Sequence, residues 1–147
     1  MKKNAFTLIE MVVVILILGI MAAVAAPKMF NTAETAAENA TRSQLNIVRN
    51  ALELYAAEHD GLYPAPTESL PLETMLTKYI NGAFPAPQVG ATKGSKDVLV
   101  VTGVAVDASA SVDENEAMGW VYNSDTGKFV INSDDVSSDG VTTLNVW

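Results

Sequence analysis

The sequence predicts an α+β protein. One long N-terminal helix, apolar all round in its first half and amphipathic in its second, is expected to pack on a small antiparallel β-sheet head. Three observations carry this. Met11 to Ala26 holds no charge. Apolar residues then recur at three- and four-residue spacing as far as Tyr55. From Val98 onward, short β-branched and aromatic runs alternate with glycine-bearing turns.

From Phe6 to Ala26 only Thr7 and Glu10 are polar. As a helix this stretch spans about 31 Å, close to the hydrocarbon thickness of a bilayer. Val12, Val13, Val14, Ile15 and Ile17 would lower helicity in water. In lipid the backbone must satisfy its own hydrogen bonds, and a lone segment can do so only as a helix. Lys2 and Lys3 precede it, which keeps the N-terminus cytoplasmic and sends the rest across. A secretory signal peptide cut at Ala23-Val24-Ala25, or a plain single-span anchor, would explain the apolar run. Neither explains Glu10, because a mid-span carboxylate costs on the order of 2.5–3.5 kcal/mol to insert and calls for a partner.

Pro27 lacks a backbone donor and is expected to kink or locally melt the helix. Beyond it Phe30, Ala33, Ala37, Ala40, Ile47, Val48, Ala51, Leu52 and Tyr55 form the expected buried stripe. Glu38–Arg42 and Arg49–Glu53 fall at i,i+4 on the other faces. The helix should run to about His59, with Gly61 as its C-terminal stop. Tyr63-Pro64-Ala65-Pro66 and Ser69-Leu70-Pro71 are loop chemistry. Leu72, Met75, Leu76 and Tyr79 make one short helical face, which Asn81-Gly82 ends. Val98 to Val106 reads as a strand with Gly103 as a bulge, and Asp107 to Ala117 as an acidic loop or flap. Trp120-Val121-Tyr122 and Lys128 to Ile131 read as strands about an Asn123–Gly127 turn, with Trp120 or Tyr122 in the core. Val141 to Trp147 alternates weakly, as a last edge strand would.

The N-terminal residues resemble the type IV pilin and type II secretion pseudopilin family. The resemblance rests on a short basic leader, Lys2-Lys3-Asn4-Ala5, then Phe6-Thr7-Leu8-Ile9-Glu10 and the apolar run. Ala5 stands where the family usually carries glycine. The resemblance implies that a prepilin peptidase/methyltransferase cuts between Ala5 and Phe6 and methylates the new Phe6 amine. It also implies that Glu10, with Thr7 beside it, serves assembly, pairing with the Phe6 amine of a neighbouring subunit. Pro27 matches the family's usual kink. The order of long helix, Tyr-Pro, short helix and the Gly119–Gly127 hairpin is similar to pseudopilin heads. The implied segments are 1–5 leader, 6–26 transmembrane and assembly helix, 27–59 amphipathic helix, and 60–147 periplasmic head.

Composition excludes several chemistries. Nine basic and seventeen acidic residues give a net charge of −8. Such acidity opposes nucleic acid and anionic lipid surfaces. With no cysteine and one histidine, His59, there is no thiol nucleophile and no ligand set for a transition metal. No nucleophile elbow, P-loop or dinucleotide fingerprint occurs, so the chain is not expected to be an enzyme or to carry a cofactor. Asp134, Asp135 and Asp139 form the one oxygen-rich cluster, read either as a solvated acidic loop or as Ca²⁺ ligands. The family resemblance adds weight to a calcium site there, but the spacing does not match an EF-hand and the solvated acidic loop is the preferred reading. The expected function is a structural subunit of a pilus-like filament, most simply a type II secretion pseudopilin. It would be stored in the bacterial inner membrane with its head in the periplasm, then drawn by the assembly platform into a fibre of identical or related subunits. A type IV pilus major or minor pilin is one alternative; a soluble binding protein released after Ala25 is another.

Overall fold

The computed structural model describes residues 6–103 and 117–147. The leader, the far end of the expected Val98–Val106 strand and most of the Asp107–Ala117 flap lie outside the described residues. Two compact units emerge, one extending to Thr35 and one from Ala36 to Trp147.

The first unit is helical. Helix α1 spans Leu8–Glu58. Within it, Leu8–Ala26 is long and apolar enough to cross a membrane, and none of it is buried. Thr32 turns its hydroxyl back onto the Lys28 carbonyl at 2.8 Å, the usual outlet for a threonine inside a helix.

The second unit holds the core. The part of α1 inside it buries Glu38, Thr41, Leu45, Val48, Ala51, Leu52 and Ala56. The spacing is helical, but the stripe is rotated from the expected one. Ala33, Ala40 and Ile47 are exposed, whereas Leu45 is buried. The reason is polar: Glu38 and Thr41 sit on the buried line because both bond to head loops, and a purely apolar pattern skips them. The α1 terminus falls near its expected place. Asp60 takes the first left-handed conformation (φ 56°) and Gly61 follows at φ 84°. The Gly61 N–H donates to the Ala56 carbonyl at 2.8 Å, closing the last turn. Helix α2, Leu72–Met75, is shorter than its apolar face suggested, and turns carry the chain on to Ile80.

Among the described residues the sheet has three strands, β1 (Val98–Val101), β2 (Trp120–Asn123) and β3 (Phe129–Ile131), in that order. It is mixed rather than antiparallel. β2 and β3 form the expected hairpin, with Val121 opposite Val130, but β1 runs parallel to β2, with Leu99 opposite Val121. Residues 102–119 join β1 to β2, and a connection longer than about a dozen residues permits a crossover where a hairpin would not. The expected edge strand at 141–147 is instead a 3-10 turn, Leu144–Val146, preceded by a single bridge between Val136 and Thr143. Burying Leu144 in the core curls the segment inward.

Strand alternation divides the head into two clusters. Trp120, Tyr122, Phe129 and Ile131 meet Leu45, Val48 and Leu52 of α1, together with Leu72, Leu76 and Leu144. Val121 and Val130 face the other way with Leu99 and Val101. Trp120 and Tyr122 are both in the core, each with its polar atom satisfied. The Trp120 indole N–H donates to Pro85 O at 2.9 Å, and the Tyr122 hydroxyl donates to Pro64 O at 2.8 Å. Burial pushes the Tyr122 phenol well above its ordinary pKa.

Two glycines are fixed by close approach. A Cβ at Gly127 (φ 72°) would fall 2.4 Å from the Tyr63 ring, and one at Gly119 would fall 2.1 Å from the Ser95 carbonyl oxygen. The second contact is with backbone, which cannot swing away. Gly119→Ala should therefore cost about 1–3 kcal/mol by overpacking, read as a lowered melting temperature of the chain by circular dichroism.

Candidate assembly site

At the start of α1 the chain closes on itself. Both the Thr7 N–H and the Thr7 hydroxyl donate to Glu10 Oε2 at 2.8 Å, and the Glu10 N–H reaches the Thr7 hydroxyl oxygen at 3.3 Å. This is a capping box: residues three apart satisfy each other's free donors at a helix N-terminus. The carboxylate also lies at the positive end of the helix dipole, where a negative charge is stabilised. Thr7-Leu8-Ile9-Glu10 carries the box's Ser/Thr-x-x-Glu spacing, so this role was legible in the residues. Thr7 and Glu10 are thus brought together. Phe6, beside them, is exposed, and Ala5 lies outside the described residues.

The aspartates of the C-terminal loop follow a different pattern. Asp139 turns its carboxylate back onto the chain, accepting from the Val141 N–H and the Thr142 N–H at 2.8 Å each and from the Thr142 hydroxyl at 2.6 Å. These bonds hold its pKa down at about 2. Asp135 accepts from the Ser133 hydroxyl at 2.8 Å, and Asp134 is exposed. Among the described residues no group of three or more His, Cys, Asp or Glu side chains is placed to hold a metal ion. Asp135 and Asp139 thus bond within separate stretches of the loop, and Asp139 spends its oxygens on the turn it closes.

Polar residues of α1 hold several head segments in place, through bonds that the i,i+4 spacing does not indicate. Glu38 accepts from the Ser138 N–H and, at 2.9 Å, from the Ser138 hydroxyl. Thr41 donates to the Ala37 carbonyl and accepts the Gln88 N–H at 2.9 Å. Arg49 gives Nε and Nη2 to the Phe129 carbonyl at 3.1 and 2.8 Å, and Nη2 also reaches the Trp147 main-chain oxygen. The Arg42 guanidinium lies 3.8 Å over the Trp147 ring. Glu38 and Arg49 were assigned to i,i+4 pairs along the helix surface. Long-range hydrogen bonds claim them instead, because a half-buried charge gains more from fixed carbonyl and N–H groups than from an exposed neighbour. The lone histidine stacks on Tyr55, with ring centroids 3.9 Å apart, and its Nδ1 lies 2.7 Å from the Tyr55 carbonyl oxygen, a structural role.

Comparison with known proteins bears on the same segments. Residues 1–26 match the prokaryotic N-terminal methylation motif. Prepilin peptidase-dependent protein D of Escherichia coli K12 is 31% identical over 125 residues, covering 83% of each chain. The chain belongs to the prepilin and pseudopilin family. Type II secretion system core protein G of Vibrio cholerae is 32% identical over 80 residues, 54% of this chain and 53% of that one. The Aeromonas hydrophila protein of the same name is 33% identical over 69 residues, 47% of this chain and 48% of that one. The chain thus matches about half the length of these secretion relatives. No solved structure matches.

Two expectations follow for the head of this pilin-like chain. The Asp139 carboxyl should titrate near pH 2 by NMR. Because its folded pKa is depressed, its stabilisation is complete above the unfolded value near 3.8 and is lost as pH falls through about 2. Arg49→Ala should cost about 1.5–3 kcal/mol, since it strips charged donors from two main-chain oxygens, measured as a shift in the urea midpoint. Arg49→Lys should recover only part of that loss, having no planar fork.

Proposed function

We propose that this chain is a structural subunit of a membrane-assembled filament, with a secretion-type pseudopilus as the favoured kind. It is inserted through Leu8–Ala26 in the inner membrane, with the head on the periplasmic side. The observation that carries the reading is the Thr7–Glu10 box at the head of a bilayer-length helix. A carboxylate at the mouth of such a helix is costly in lipid, and Thr7 supplies only neutral donors to it. A cation arriving from another subunit is worth more there than a further neutral hydrogen bond. Cleavage between Ala5 and Phe6 would create such a cation, the Phe6 amine, on every processed copy. The match to the methylation motif supports this, as do the secretion relatives.

The partners in this reading are prepilin peptidase, the inner-membrane assembly platform, and identical or related subunits. The chain acts by packing rather than by catalysis. Pro27, whose missing N–H leaves the Ala23 carbonyl without its helical donor, is the position at which α1 would bend in a fibre. The apolar half of α1, charge-free beyond Glu10, is then buried among other copies of itself.

Mass spectrometry of the native chain should find N-methyl-Phe6 at the N-terminus; a free Ala26 would replace this reading with a secreted protein. Glu10→Ala should leave cleavage intact and reduce fibre incorporation at least tenfold, scored by shearing and immunoblot. Thr7→Ala should weaken incorporation less, and Thr7→Ser should restore it, because serine keeps the capping hydroxyl. Normal fibre yield from Glu10→Ala would exclude the pairing.

A further inference from the structure

Beside β1 the head carries a cleft of about 440 Å³ that the assembly reading does not use. Leu72, Val98, Val100 and Met118 contribute its apolar lining. Val98 and Val100 share one face of the strand, while Leu99 and Val101 pack on the opposite face against Val121 and Val130. Glu68, Glu73 and Asp97 also line it, beside Pro66, Thr67 and Pro71, and among the described residues no cation does. Lys96 lines a neighbouring cleft that shares Glu73, and Lys78 is held by Glu58 at 2.5 Å. β1 stands at the edge of the sheet with β2 as its one neighbour strand among the described residues.

These features combine a strand edge with no second neighbour strand among the described residues, two aliphatic side chains at strand spacing and three carboxylates around them. We propose that this cleft receives an extended peptide segment of a partner protein, with an apolar side chain flanked by lysine or arginine. The strand edge offers main-chain hydrogen bonds, and the alternate side chains of the added segment find Val98 and Val100. Glu68, Glu73 and Asp97 select basic flanks and reject acidic ones, which in so acidic a chain also steers a second copy's head away. The occupant is thus a protein other than this chain, and the site is independent of the helix that assembles.

The full chain in zwitterionic nanodiscs can be titrated with two capped, fluorescently labelled pentapeptides, lysine-leucine-valine-leucine-lysine and its glutamate-flanked counterpart, with empty nanodiscs subtracted. The lysine-flanked peptide should bind at least about tenfold more tightly than the other. The exposed double substitution Glu68→Gln/Glu73→Gln should remove most of that preference, Val100→Asp should weaken the apolar contact for both peptides, and Glu58→Gln should change nothing. Equal binding of the two peptides, no binding up to about 1 mM, or undiminished preference in the double variant would overturn the proposal. Fibre incorporation, measured in parallel, should be unaffected by the double variant, so failure here and failure of the assembly reading are separately visible.

Discussion

Helix α1 has to satisfy two solvents with one backbone. Up to Ala26 its surroundings must be lipid or other apolar helices, so every face is apolar and the one carboxylate is confined to the first turn. Placed there, Glu10 uses the donors that any helix leaves free at its N-terminus and the favourable end of the dipole. The same acid two turns further in would find its backbone donors already spent. The position of Glu10 is therefore set as much by helix ends as by any partner it meets.

In the second unit α1 works differently, as the wall on which loops are hung. Apolar contacts with Trp120, Tyr122 and Phe129 supply the core, but they do not specify where irregular chain should run. That is done by Glu38, Thr41 and Arg49, each fixing main chain 47 to 100 residues away. A small head whose described strands are short has many loop amides and carbonyls to satisfy, and the helix side chains satisfy several of them. This explains why a carboxylate and a guanidinium are tolerated on the covered side of the helix. It also explains the rotation of the buried stripe.

Much of this could be read from the residues, for identifiable reasons. The apolar run, the end of α1 and the β2–β3 hairpin are local patterns, and each lies where its periodicity and turn chemistry put it. What could not be read is long-range. The parallel partner of β1 depends on a connection whose path leaves no periodic trace. The curl at Leu144 depends on a core vacancy that only the assembled head defines. Leu45 was passed over because its neighbours on the buried line, Glu38 and Thr41, are polar. The Thr7–Glu10 box is the opposite case, a short-range pattern visible in the residues but overshadowed by the search for a partner outside the chain.

Charge sets the last constraint on assembly. From residue 36 onward the chain has fifteen acidic and six basic residues, so identical heads side by side repel. That repulsion is screened beyond about 8 Å at physiological salt, so it acts at close approach. In the proposed fibre, cohesion is the task of the uncharged stretch of α1 after Glu10, where contact has no electrostatic cost. A charge-poor helix and a charge-rich head thus divide the two demands that the proposed assembly makes on one chain.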